Sequence, residues 1–239
     1  MSAAANLPAQ QAANGKVVQA RSVSKIFKRD AFAVTALDNV SLDIGAGEFL
    51  ALMGPSGSGK TTLLNMIAAI DRPTSGDLLV MGENVFKLDD SQSARWRNTH
   101  VGYVFQTFNL IPVLTAFENV ELPLLLTKMT PQQRRDHVMT ALKLVGLEDR
   151  INHLPKQLSG GQEQRVAIAR AIVSDPTLIL ADEPTGDLDE ETESEIMAFF
   201  EKINHEKKVT MIMVTHSSEI ALRAPTRFRM KQGVIEQLN

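Results

Sequence analysis

Between residues 17 and 53, apolar side chains recur at or near every second position: Val17, Val18, Ala20, Val23, then Val40, Leu42, Ile44. That period belongs to half-buried strands, so antiparallel strands are predicted there, followed by the continuous apolar run from Phe49 to Met53. Two more strands are predicted at 78–81 and 101–105, with a polar stretch from Lys87 to Asn98 between them. Over 114–150 the pattern turns helical. Pro131 stands where a helix can begin, Val138, Ala141, Leu142 and Val145 share one face, and Gly146 can end it. Further helices are predicted at 162–173, 189–204 and 217–223. They alternate with short apolar runs at 178–181 and 210–214, a rhythm that implies a parallel sheet covered on both faces. No internal repeat is visible, so the chain is read as one unit rather than a tandem pair.

Composition narrows the class. With 239 residues, 44% hydrophobic and 22% charged, the chain can bury a full core and has the balance of a globular protein. The net charge of −3 gives no global reason to expect nucleic-acid binding. The absence of cysteine excludes disulfides, thiol catalysis and Cys-bound metals. No apolar stretch approaches the roughly 18–20 residues that cross a bilayer. The first residues are rich in Ala, Gln and Asn and lack the basic and apolar segments of a secretory signal. Residues 1–16 are therefore expected to be a disordered leader to a domain at 17–239, and the chain is expected to be cytoplasmic.

Chemistry enters after the run that ends at Met53. Gly54, Pro55, Ser56, Gly57, Ser58, Gly59, Lys60 and Thr61 form the pattern G-x-x-x-x-G-K-[ST], leading through Thr62 into a helical stretch. Glycines let backbone N–H groups curl around a phosphate, and the helix behind them points its positive end at the anion. Lys60 can reach the β- and γ-phosphates, and Thr61 can place its hydroxyl on Mg²⁺. The chain is read as binding a nucleoside triphosphate. A second apolar run ends in Asp182 and Glu183. Alone it reads equally as a strand followed by a polar turn. Beside a phosphate loop, Asp182 is placed to hold Mg²⁺ and Glu183 to polarise a water for attack on the γ-phosphate. Leu158, Ser159, Gly160, Gly161 and Gln162 open the next helix. A Ser-Gly-Gly turn there is commonly only a cap; as a second phosphate grip it makes sense if it closes on a nucleotide held by another subunit.

These motifs, in this order, resemble the nucleotide-binding subunit of an ATP-binding cassette (ABC) transporter from about Val17 to Gln237. The likeness rests on the phosphate loop, Gln106 after Val104-Phe105, the Leu-Ser-Gly-Gly-Gln turn, the strand ending in Asp182-Glu183, Gly186-Asp187-Leu188-Asp189, and His216 after Val214-Thr215. It implies an α/β fold with a RecA-like parallel-sheet core, an antiparallel β lobe and a helical subdomain at about 107–160. It implies ATP and Mg²⁺ as ligands and a homodimer closed through an ATP sandwich. Phe27 takes the place of the aromatic that stacks on adenine, with a core role as the alternative. Gln106 would sense Mg²⁺ and the attacking water, and His216 would contact the γ-phosphate and fix Glu183. Asp187, Leu188 and Asp189 would face the partner's site, although Asp189 is equally placed to cap the next helix. Glu163 and Gln164, just past the turn, are expected to lie away from the phosphate and to leave activity untouched.

Within the family, residues 105–120, 181–189 and 227–233 are most similar to the lipoprotein-release and macrolide-export branch, which includes cell-division relatives. The chain ends soon after its last predicted strand, so neither a regulatory C-terminal domain nor a fused membrane segment is expected. The resemblance then implies an integral membrane permease in a separate chain, with this subunit peripheral on the cytoplasmic face of the membrane. Phe108, Leu110, Ile111, Val113 and Phe117 would form the groove for its coupling helix, or else the core of the helical lobe. A soluble cassette ATPase acting on nucleic acid or ribosomes is the alternative. Its usual marks, a second cassette or a long coiled-coil insertion with basic patches, are absent.

Overall fold

The computed structural model describes residues 15–29 and 32–238. The expected leader lies outside the described residues except at its end, where Lys16 already opens the first strand. Strands β1 (Lys16–Arg29) and β2 (Phe32–Gly45) pair antiparallel. They join β4 (Ser75–Val80) and β5 (Glu83–Asn84) in a sheet of order β2-β1-β4-β5. The near-alternating apolar positions face one way, and Val18, Ala20, Val40 and Ile44 are all buried.

The second sheet has the order β10-β9-β3-β8-β7-β6. Its strands are β3 (Phe49–Met53), β6 (Val101–Val104), β7 (Leu178–Asp182), β8 (Thr210–Thr215), β9 (Thr226–Lys231) and β10 (Val234–Leu238). All pair in parallel except β10 on β9. Two cores meet across it. Phe49, Ala51, Ile179, Met211 and Met213 face a helical core, whereas Leu50, Leu52, Leu178, Leu180 and Ile212 face the antiparallel sheet and α1 (Lys60–Ile67). A strand covered on both faces needs apolar residues at every position, which is why these runs are continuous.

The remaining helices are α2 (Asp90–His100), α3 (Ala116–Glu121), α4 (Pro131–Leu144), α5 (Gly160–Ile172), α6 (Glu190–Lys207) and α7 (Ser218–Leu222). Two differ from expectation. The polar stretch after Lys87 carries α2, which buries only Ser93 and Trp96 and so shows no apolar period. Its start is set by a capping box, Asp89 with Gln92. The segment 114–150 is not continuous helix: α3 passes into a 3₁₀ turn, Leu122–Leu126, and α4 restarts at Pro131. Prolines at 123 and 131 stand at the first turns of these pieces, where a missing N–H costs nothing. Buried Asn119 fixes the loop before α3. It accepts from Ile111 N at 2.8 Å and donates to the carbonyls of Ile111, Leu114 and Thr115 at 3.2, 3.0 and 3.0 Å. Among the described residues, no helix is long and apolar enough to cross a membrane.

Candidate nucleotide site

The loop between β3 and α1 is pressed against two other strands. A Cβ at Gly54 would lie 2.2 Å from the Met230 carbonyl oxygen, and one at Gly59 would lie 2.3 Å from that of Ala36. Gly59 also holds a left-handed φ of 104° as the cap of α1. Any side chain here would push the loop out of place. The crest, Pro55, Ser56 and Gly57, is exposed, while Ser58 is buried and its carbonyl accepts from Gly233 N at 3.0 Å. No side chain closes the first turn of α1, and no acidic residue stands in it. Its first amides, through Thr62, are free for an anion.

Lys60 is buried, with Nζ donating to the carbonyls of Gly54 at 2.8 Å and Pro55 at 2.9 Å. Burial pushes its pKa down, and the charges of Glu183 and Asp182 pull it back up. The Thr61 hydroxyl donates to Asp182 Oδ1 at 3.2 Å, across 121 positions of sequence. Burial pushes the Asp182 carboxyl up; the Thr61 hydrogen bond opposes this, the Glu183 charge adds to it, and Lys60 opposes it. Thr61 and Asp182 thus form an oxygen-only donor pair, the kind a small hard divalent cation prefers.

One residue beyond β7, Glu183 turns back with a left-handed φ of 47°. Its N–H donates to Val214 O at 2.9 Å, tying the turn to β8. Its Oε2 lies 3.1 Å from Nδ1 of His216, which follows β8 directly and is largely exposed. The adjacent parallel strands β7 and β8 therefore deliver Asp182, Glu183 and His216 to one sheet end, beside the loop leaving β3.

The other expected residues fall in three places. Phe27 is 46% exposed on β1, with Lys25 Nζ 4.8 Å from its ring centroid. It pairs with Val34 of β2, close to where Ala36 meets Gly59. Gln106 is exposed just past β6, and among the described residues no hydrogen bond ties it to Thr61 or Asp182. Ser159 caps α5: its hydroxyl accepts from Gln162 N at 3.3 Å, and its N–H donates to Gln162 Oε1 at 3.1 Å. Leu158 packs on the helical core, and Gly160 is exposed. A Cβ at Gly161 would lie 2.6 Å from Thr192 Cγ2, so that glycine serves close packing within the chain. Among the described residues no hydrogen bond joins 158–162 to 54–62. Asp187 is exposed and Leu188 is partly buried. Asp189 caps α6, accepting from Thr192 N at 2.9 Å and from its hydroxyl at 2.8 Å; these bonds lower its pKa.

Of the expected groove, Ile111 and Val113 are exposed, the latter 79%, whereas Leu110 and Phe117 are partly buried against the helical core. Two residues escaped the sequence reading. Arg170 donates to the carbonyls of Phe108 at 2.7 Å and Asn109 at 2.6 Å, holding a loop whose φ values are 36° and 50°. Gln164, expected to lie off the phosphate-facing turn, does so, and is wholly buried with Nε2 donating to the carbonyl of Pro184. It shares helical spacing with buried Ala167, Ile168 and Ala171. A polar residue on an apolar stripe was the available signal.

Comparison with known proteins agrees with this geometry. The ABC transporter family model matches residues 37–186. An uncharacterized ABC transporter ATP-binding protein of Thermotoga maritima is 47% identical, covering 92% of this chain and 94% of its own. A macrolide export ATP-binding/permease protein of Rhodopirellula baltica is 44% identical over 92% of this chain, which spans only 33% of that longer protein. Among solved structures, the dimeric post-hydrolysis state of the ATP-binding cassette MJ0796 with ADP and Pi matches with a TM-score of 0.86. It shares 44% identity, with 93% of this chain and 99% of that one covered. With a phosphate loop, a paired Thr61 and Asp182, and a Glu183–His216 contact at one sheet end, the chain belongs to the ABC transporter family as one of its ATPase domains.

Proposed function

We propose that this chain hydrolyses ATP as the nucleotide-binding subunit of a transporter or mechanotransmission complex. Two copies would close on ATP in a sandwich and drive an integral membrane permease carried by a separate chain, with no role for nucleic acid. The observation that carries the reading is the convergence of Lys60, Thr61, Asp182, Glu183 and His216 on one end of the parallel sheet. The amides of the loop and of the first turn of α1 would donate to the phosphates, with Lys60 supplying the balancing charge. Thr61, Asp182 and Gln106 would hold Mg²⁺, which when bound neutralises phosphate charge. Glu183 would take the proton of the attacking water. His216 would keep that carboxylate oriented and reach the γ-phosphate. Exposed Phe27 would stack on adenine.

The turn at Leu158, Ser159, Gly160, Gly161 and Gln162 would serve the nucleotide of the second copy, with Asp187 and Leu188 near the same junction. The helical subdomain would span about 107–160. Its exposed Ile111 and Val113 would meet the permease, keeping the subunit peripheral on the cytoplasmic face of the membrane. The test is Glu183→Gln. ATP binding should survive, turnover should fall by about 10²-fold or more, and ATP should trap a dimer. Hydrolysis at the parent rate with no trapped dimer would overturn the assignment.

A further inference from the structure

Glu183 is held in a conformation that its sequence disfavours. The residue before a proline normally stays extended. Yet Glu183 precedes Pro184 with a φ of 47°, in the left-handed region that non-glycine residues avoid. Such backbone persists only where its surroundings over-determine it. Among the described residues, three hydrogen bonds hold the backbone of Glu183 and Pro184. Glu183 N donates to Val214 O at 2.9 Å within the sheet, and Gly186 N donates to Glu183 O at 3.2 Å within the turn. The third, from Gln164 Nε2 to Pro184 O, comes from a side chain on α5.

Gln164 is a poor choice if stability is its only purpose. Its side chain is wholly buried, and among the described residues no protein group hydrogen-bonds its Oε1. A buried amide with one half unsatisfied weakens a fold relative to an apolar residue of the same shape. Its neighbours on the buried face, Ala167, Ile168 and Ala171, carry no polar side-chain group. What the amide achieves is to fix the carbonyl next to Glu183.

We propose that Gln164 is a positioning residue for the hydrolytic step. By holding Pro184 O, it keeps the Glu183 backbone turned so that the carboxylate stays against His216 and faces the attacking water. The inference rests on Glu183 acting as the general base. It also gives α5 a second role, because the helix that opens with the Ser159 turn would set the geometry of the base in its own chain.

The experiment uses the full chain with Mg-ATP. Gln164→Met keeps the length and removes the donor. The expected result is a fall in kcat of about 10-fold, with the KM for ATP and the thermal midpoint near those of the parent. Placed in Glu183→Gln, it should cause little additional loss, since the group it positions is already gone. Gln164→Leu, which also lacks a donor and carries no charge, should repeat the loss and guards against a folding defect particular to Met. The inference is overturned if both variants keep the parent kcat. It is equally overturned if kcat, KM and melting change together, or if the loss is as large in Glu183→Gln as in the parent. Parent-rate hydrolysis by Glu183→Gln alone would instead contradict the proposed general base, whatever Gln164 does.

Discussion

Helix α1 begins behind Gly59, with no side chain closing its first turn, whereas α5 begins behind Ser159, whose capping box with Gln162 closes its own. The α1 turn contains no acidic residue; the α5 turn contains Glu163. Lys60 lies buried within the first, and the glycines beside it are sterically required, with carbonyls 2.2 and 2.3 Å from where a Cβ would stand. At the exposed Gly160 a Cβ would meet nothing nearer than Phe108 Cζ at 4.0 Å. One helix start offers uncapped amides and a buried lysine within a single chain. At the other, the capping box engages the amides of Ser159 and Gln162 and leaves those of Gly160 and Gly161 without a side-chain cap. On the proposed function, one sequence would carry a binding half and a closing half that do not meet inside one copy.

The largest expected effect on ATP affinity concerns the first half. Lys60→Ala should lower ATP affinity by about 10- to 100-fold, because a charge-assisted contact to the β- and γ-phosphates is lost. A titration with unchanged affinity would undo the contrast between the two helix starts at its stronger end. Next come the glycines. Gly59→Ala should cost about 1–3 kcal/mol of folding stability through strain and should weaken ATP binding. Gly160→Ala should cost about 0.5 kcal/mol or less. Denaturant melts of the two variants side by side measure this directly, and equal losses would mean both turns are built alike. Ser159→Ala should cost about 1 kcal/mol of stability through its lost cap and leave ATP binding untouched.

The smallest effect comes from pH. Between the ordinary carboxylate range and the raised value of Asp182, the folded chain retains a proton that the unfolded chain has released. Without nucleotide, the contribution of Asp182 to stability is therefore fully present below that window and falls as pH rises through it. Asp182→Asn should flatten this part of a melting-temperature series. An identical slope in parent and variant would show that Asp182 is no more desolvated than an ordinary carboxyl.

The chain announces the first half far more plainly than the second. Strands β3, β7 and β8 are legible because they are buried on both faces, and the phosphate loop because its glycines answer a steric need that sequence spacing records. Asp182 and Glu183 follow from their place at a strand tip. The backbone turn at Glu183 does not, since nothing in the pattern of apolar positions encodes a left-handed φ before a proline. Gln164 lies off the Ser159 turn, as its distance implies, and packing shows that it is buried on the apolar stripe of α5. Helix α2 stays hidden because it buries two residues. Leu110 and Phe117 share their apolar character with Ile111 and Val113, and only packing separates core from surface.

Hydrolysis, on this view, needs the α1 end of one copy and the α5 end of another. Ser159→Arg probes that requirement at its source, with ATP affinity and steady-state hydrolysis measured on the same preparation. The residue is exposed, so the fold should tolerate the change. ATP affinity should equal the parent's, and hydrolysis should fall by about 10²-fold or more, because a bulky cation blocks closure on the partner's γ-phosphate. Hydrolysis at the parent rate would contradict the two-copy requirement, and so would a loss of affinity as large as that of Lys60→Ala.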